Sequence, residues 1–223
     1  MKQLLMLDDI CNKLKNDNKV EGILLMGSVA HGTATLLSDL DLLVLGENNK
    51  FESEFIDEIL VEFIYISNEN AIKKLNQNDM DVYHYIGSKI LFDKYGNLQR
   101  LISLAIIKYN NYVLDSTTKR GIYHWLLSTK IKLESAINVN DMLKINYITA
   151  TNSWKIIEAI WAVNNIPIPP SSTVIRNRCD LKIIPSNDWF ENLFYGESMT
   201  KANTMLYIIN WVLPRLEIKN SQV

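Results

Sequence analysis

The spacing of apolar residues changes partway along the chain, and the change divides it in two. Leu4, Leu5, Leu7, Ile10, Cys11 and Leu14 recur at three- and four-residue intervals, which predicts a helix over 4–15. Asn16-Asp17-Asn18 closes it with turn residues. Ile23-Leu24-Leu25-Met26 is a short apolar run ended by Gly27 and reads as a buried strand. Residues 29–32 would start a helix or a tight turn. Residues 40–45 form a second strand, broken only by Asp41, and 60–66 a third, rich in β-branched and aromatic side chains. Ser67-Asn68-Glu69 offers a helix N-cap, and Ile90-Leu91-Phe92 a last short strand before the turn at Lys94–Asn97.

Beyond Gly96 the helical period takes over. Helices are predicted over 98–114, 117–137, 141–163 and 188–213, with a proline-rich connection at 166–171 that cannot be regular helix. The expected fold class is therefore α+β. An α/β domain with a mixed sheet spans 1–96, and a helical bundle domain spans 97–223.

Composition narrows this little. The hydrophobic share of 48% and charged share of 22% are ordinary for a globular protein. Cys11 and Cys179 lie far apart and form no CxxC or Cys/His cluster, so neither zinc nor a disulfide framework is expected. The first apolar run is broken by Asp8 and Asp9 and is no signal peptide, and no stretch approaches the ~20 apolar residues of a membrane span. A cytoplasmic location and no membrane partner are expected. The formal net charge of −2 conceals an asymmetry: 16 acidic against 9 basic side chains through Gly96, then 9 against 14. An acidic half suits metal binding and a basic half suits an anionic group. No strongly basic, aromatic-laced segment suggests a nucleic-acid partner.

The chemistry concentrates in Gly27-Ser28-Val29-Ala30-His31-Gly32 and Ser38-Asp39-Leu40-Asp41-Leu42. A glycine directly after a strand lets backbone approach a phosphate, and Ser28 with the following amides can form an anion-binding turn. Asp39 and Asp41 are two apart at a strand start, so both face one way. Such a pair repels unless a cation sits between, and hard carboxylate oxygens suit Mg²⁺ shared with substrate phosphates. Glu62 interrupts an apolar strand, where a charge is costly without a partner, and is the expected third carboxylate.

This conjunction resembles the polymerase-β-like nucleotidyltransferase superfamily, most closely its minimal and antibiotic-modifying members. Gly27, Ser28, Ala30, Gly32, Ser38, Asp39, Asp41 and Leu42 match the pattern in register. The likeness covers roughly 20–96; the helical half is similar to the companion domains of such enzymes in layout only. By resemblance, Asp39, Asp41 and Glu62 bind Mg²⁺ and carry catalysis, and Gly27 and Ser28 contact the nucleoside triphosphate; His31, in the same turn, and Ser38 are further candidates for nucleotide contact. Many minimal members carry Arg where this chain has Val29 and His31. Phosphate contacts are therefore expected from Ser28, backbone amides and a basic residue of the helical half, such as Lys130, Lys155, Arg176 or Arg178.

The implied reaction moves a nucleoside monophosphate, AMP from ATP, to a hydroxyl of a small molecule, an antibiotic among the candidates, with pyrophosphate leaving. Asp115, Glu134, Glu158 and Glu62 itself are candidates for the base. Trp125, Trp154 and Trp161 are expected to pack helices. The alternatives are a member that adenylylates a toxin-like protein and a nucleotide-binding module without catalysis. A monomer and a homodimer are both compatible with the sequence.

Overall fold

The computed structural model describes residues 2–216. Its first compact unit, Met1–Asn111, holds a five-stranded mixed sheet in the order β3-β4-β2-β1-β5. The elements are α1 (Lys2–Lys15), β1 (Val20–Leu25), α2 (Gly27–His31), β2 (Leu40–Gly46), β3 (Lys50–Ile56), β4 (Ile59–Ile66), α3 (Asn68–Gln77), β5 (Lys89–Asp93) and α4 (Asn97–Asn110). β2 and β4 run parallel; the other three pairings are antiparallel.

Period-two alternation sends successive side chains of the central strands to opposite faces. Leu40, Leu42 and Val44 pack with Met6, Ile10 and Cys11 of α1. Leu43 and Leu45 pack on the other face with Leu75 of α3 and Leu98 and Leu101 of α4. Both faces of β1 and β2 are covered, which is why these strands read as unbroken apolar runs. Ser67 caps α3, its hydroxyl accepting from Asn70 N at 3.3 Å.

One strand escaped the sequence reading. β3 is an edge strand of sequence KFESEFI, exposed along almost its whole length, with no apolar run to mark it. It joins β4 through a two-residue turn whose residues, Asp57 and Glu58, both have left-handed backbones (φ 47° and 68°). That geometry matches the twist of a hairpin.

The second unit, Tyr112–Val223, is helical among its described residues. It contains α5 (Ser116–Asn138), α6 (Met142–Asn164), α7 (Val174–Asn177), α8 (Trp189–Phe194) and α9 (Ser198–Val212). Asp115 caps α5 and Asp141 caps α6 by accepting from first-turn amides. The helix expected over 188–213 is two helices, α8 and α9, separated at Gly196. A Cβ there would meet Asn192 O at 2.5 Å.

The architecture is the α+β arrangement predicted from the sequence. The expected join between residues 96 and 97 falls at the start of α4. That helix packs against β1 and β5, with Leu98, Leu101 and Ala105 buried, so the first compact unit runs on to Asn111.

Candidate active site

β2 and β4 lie side by side with Asp41 opposite Glu62. Neighbouring strands are roughly 4.8 Å apart, and the two residues share a parity, so both carboxylates rise from the α3/α4 face of the sheet. Asp39, two residues before Asp41, joins them. Ligand oxygens of Asp39, Asp41 and Glu62 all lie within 4.8 Å of one another. All three side chains are half-buried.

The turn after β1 closes over this cluster. Met26 N donates to Asp41 O at 2.9 Å, holding the end of β1 against the start of β2. Gly27 follows with φ 64°, a left-handed conformation. A Cβ at Gly27 would run into Asp41 Oδ2 and stand 2.9 Å from Asp41 Cγ. Only glycine satisfies both the backbone angle and the approach. The amides of Gly27, Ser28 and Val29 open α2 and so have no acceptor within the helix. Ser28 Oγ is buried and has no hydrogen-bond partner among the described residues.

Crowding raises the Asp41 carboxyl to about 6. Desolvation is the main cause, followed by the negative charges of Asp39 and Glu62. A cation between the three carboxylates would offset the repulsion from Asp39 and Glu62 and take the place of the water lost around the Asp41 oxygens. The donor set is hard and anionic, beside a turn with an orphaned hydroxyl. It fits Mg²⁺ or a similar divalent ion shared with an anionic substrate.

The other residues singled out in the sequence have defined places. His31 lies against Gly87 in the turn before β5. That glycine is left-handed (φ 77°), and a Cβ there would stand 2.8 Å from His31 Nδ1. Ser38 Oγ accepts from Thr35 N at 2.9 Å, so its hydroxyl shapes the loop entering β2. In the helical unit, Asp115 is a helix cap, Lys155 pairs with Glu158 at 2.5 Å, and Lys130 reaches Asn210 and Glu134. Arg178 pairs with Glu191 at 2.7 Å and covers the Phe190 ring. Arg176 is half-buried and Trp161 is fully buried, while Trp125 is partly exposed and bonds Asn152 at 2.8 Å.

Gln3 was missed. Its side chain is fully buried, and Nε2 donates to Thr35 O at 3.0 Å and Ser38 O at 2.9 Å. It therefore fixes the loop that delivers Asp39. The signal was a polar residue at position 3 on the helix face that carries Met6, Leu7 and Ile10. Gln3→Leu keeps the bulk and removes both donors. We expect it to lower stability by about 1–3 kcal/mol in urea unfolding and to weaken divalent-ion binding in calorimetry.

Residues 8–97 match the family model described as polymerase beta, nucleotidyltransferase. The segment contains the Gly27-Ser28 turn and all three carboxylates. Over these residues the chain is similar to the polymerase-β-like nucleotidyltransferase superfamily. The matched segment covers the sheet and its site, and the helical unit lies outside the match. The crystal structure of a nucleotidyltransferase-like protein from Exiguobacterium sibiricum is similar, with a TM-score of 0.47 and 11% identity. The alignment covers 96% of this chain and 75% of that one. No curated protein matches the chain. Among the described residues, no helix is long and apolar enough to cross a membrane.

Proposed function

We propose that the protein transfers a nucleoside monophosphate from a nucleoside triphosphate to a hydroxyl of a small acceptor, releasing pyrophosphate. The observation that carries this reading is the convergence of Asp39, Asp41 and Glu62 on one sheet face, under a glycine turn holding an orphaned buried serine hydroxyl. Nucleotidyl transfer is the activity of the matched superfamily; ATP as donor of an AMP group is what the sequence resemblance implies.

Asp39, Asp41 and Glu62 would hold Mg²⁺, which supplies neutralisation of charge on the phosphates and acidifies a bound hydroxyl. The chain's own groups do the rest. The amides that open α2 and Ser28 Oγ bind phosphate oxygens, each a donor to an anion in a partly desolvated turn. The acceptor oxygen attacks the α-phosphorus, an O–P bond forms, and the bond to pyrophosphate breaks. The hydroxyl proton leaves to a carboxylate or to water. Because the helical half carries 14 basic against 9 acidic side chains, a neutral acceptor suits this protein better than a polycation. Among antibiotics, a lincosamide-type acceptor fits that condition better than an aminoglycoside.

The test is incubation with Mg²⁺ and α-labelled nucleotides across a panel of hydroxyl-bearing small molecules and cell-extract proteins. Label on a small molecule is expected. Label confined to a polypeptide would replace this reading with protein nucleotidylation. Failure to bind nucleotide with Mg²⁺ in calorimetry, together with absence of any label, would overturn it.

A further inference from the structure

The helical unit contains a concave pocket of about 340 Å³ with aromatic walls. One wall is α6, which supplies Trp154 and Ile157, three residues apart and so on one helix face. The prolines after α6 forbid its continuation, and the chain returns to set Val174 and Ile175 of α7 on a second wall. Phe190 and Phe194 of α8, four residues apart, form the third with Tyr195 just beyond them.

The third wall is held rigidly. Trp189 and Leu193 are buried and anchor α8. The Phe190 ring meets Trp189 edge-on with centroids 5.3 Å apart and lies 4.6 Å from the Phe194 ring, while Arg178 Cζ stands 4.6 Å from its centroid. The Arg178 charge is taken up by Glu191 at 2.7 Å, and neither residue lines the pocket. Among the described residues no Asp, Glu, Lys or Arg lines it; Ser153, Ser171 and the Tyr195 phenol supply its polar groups. Ser153 Oγ donates to Ala150 O at 2.9 Å, which leaves that oxygen an acceptor for a ligand N–H or O–H.

We infer that this pocket binds an uncharged small molecule built on a planar ring. The inference concerns the helical unit alone and does not depend on the nucleotidyl-transfer reading. Its size falls in the range of roughly 300–1,000 Å³ typical of small-molecule sites, and apolar walls with a few polar groups are their usual make-up. Trp154, Phe190, Phe194 and Tyr195 offer ring faces and edges to an aromatic ligand. An ion entering here would shed its water and find no opposite charge on the walls, so charge complementarity selects a neutral occupant. A protein partner fits poorly. The most exposed lining residues are Ile175 (66%) and Tyr195 (83%). At ~200 Å² for a large side chain they present on the order of 300 Å², against about 800 Å² per partner in a standard protein interface.

The test titrates the full chain with indole as the neutral probe, and with indole-3-acetate and tryptamine as its anionic and cationic counterparts, by saturation-transfer NMR. Indole is expected to bind at least about tenfold more tightly than either charged counterpart. Ile175→Ser/Tyr195→Ser changes two exposed positions and is expected to weaken indole at least about fivefold with an unchanged melting curve. Trp154→Leu, which keeps an apolar wall and removes its ring, is expected to weaken it at least about threefold. Absence of indole binding, equal affinity for the charged counterparts, or both variants binding as the unaltered protein does would overturn the inference. So would sedimentation showing a dimer that Ile175→Ser/Tyr195→Ser dissociates, since the pocket would then be a contact between two copies of the chain.

Discussion

Asp41→Asn is expected to abolish nucleotidyl transfer and, in the same protein, to raise the melting temperature of the metal-free state. Both effects come from one carboxylate. Asp41 faces Glu62 across the parallel strands and Asp39 along its own, and its carboxyl is pushed from 3.8 to about 6 by burial and by those two charges. Without a cation, the ionised form is therefore a liability to the fold. The full shift corresponds to about 3 kcal/mol; screening at this half-buried position reduces it to ~1–2 kcal/mol. The folded carboxyl holds its proton more tightly than the unfolded one, so the penalty is complete above pH 6 and fades as the pH falls toward 3.8. Melting curves should show the variant ahead at pH 7.5 and the two proteins converging near pH 4. Added Mg²⁺ should raise the melting temperature of the unaltered protein and leave the variant's unchanged. Transfer should fall by on the order of 10³ or more, because several kcal/mol of charge stabilisation disappear with the ion. A variant that kept its activity would remove Asp41 from the mechanism.

Gly27→Ala is expected to cost about 10²-fold in kcat/KM without replacing any side chain assigned to the chemistry. A left-handed backbone at a non-glycine residue costs roughly 1–2 kcal/mol, and Gly27 sits at φ 64°. The added methyl also occupies the place of Asp41 Oδ2. Either the carboxylate turns away from Asp39 and Glu62 or the turn lifts off the strand end and breaks the bond from Met26 N to Asp41 O. A displacement of about 1 Å at reacting groups is enough for a loss of this size. Calorimetry with Mg²⁺ should show weakened binding, and urea unfolding a stability lower by about 1–3 kcal/mol. Unchanged metal affinity would show that the cradle relaxes without moving Asp41.

Much of the site was legible in the sequence because its parts are local. Asp39 and Asp41 need only the period of a strand to share a face, and Glu62 is conspicuous inside the apolar run Leu60–Ile66. β1 and β2 were legible for a related reason: both of their faces are covered, so nearly every residue is apolar. The partnership of Asp41 with Glu62 needed the sheet order, which no local pattern carries. β3 was invisible because an edge strand with charged residues alternating with exposed phenylalanines lacks the apolar signature of a core strand. Gln3 acts on a loop more than 30 residues away and reads alone as an interruption of a helix face. α4 was assigned to the helical half by its period, yet its apolar face, Leu98 and Leu101, is buried against the sheet.

The two-residue turn at Asp57-Glu58 has a role that its distance from the chemistry conceals. β2 and β4 are parallel, so no tight connection between them sets which residue meets which. A slip of one position would send Glu62 through to the α1 side and bring a hydrophobic neighbour up beside Asp41. The hairpin from Ile56 to Ile59 limits that freedom: it fixes β4 against β3, the short connection 47–49 ties β3 back to the end of β2, and the bond from Lys2 Nζ to Asp57 O pins the hairpin tip to α1. The turn thus serves as the ruler for the carboxylate spacing. Lengthening it by a single residue would test whether the candidate site can be put out of register while all three of its carboxylates are retained.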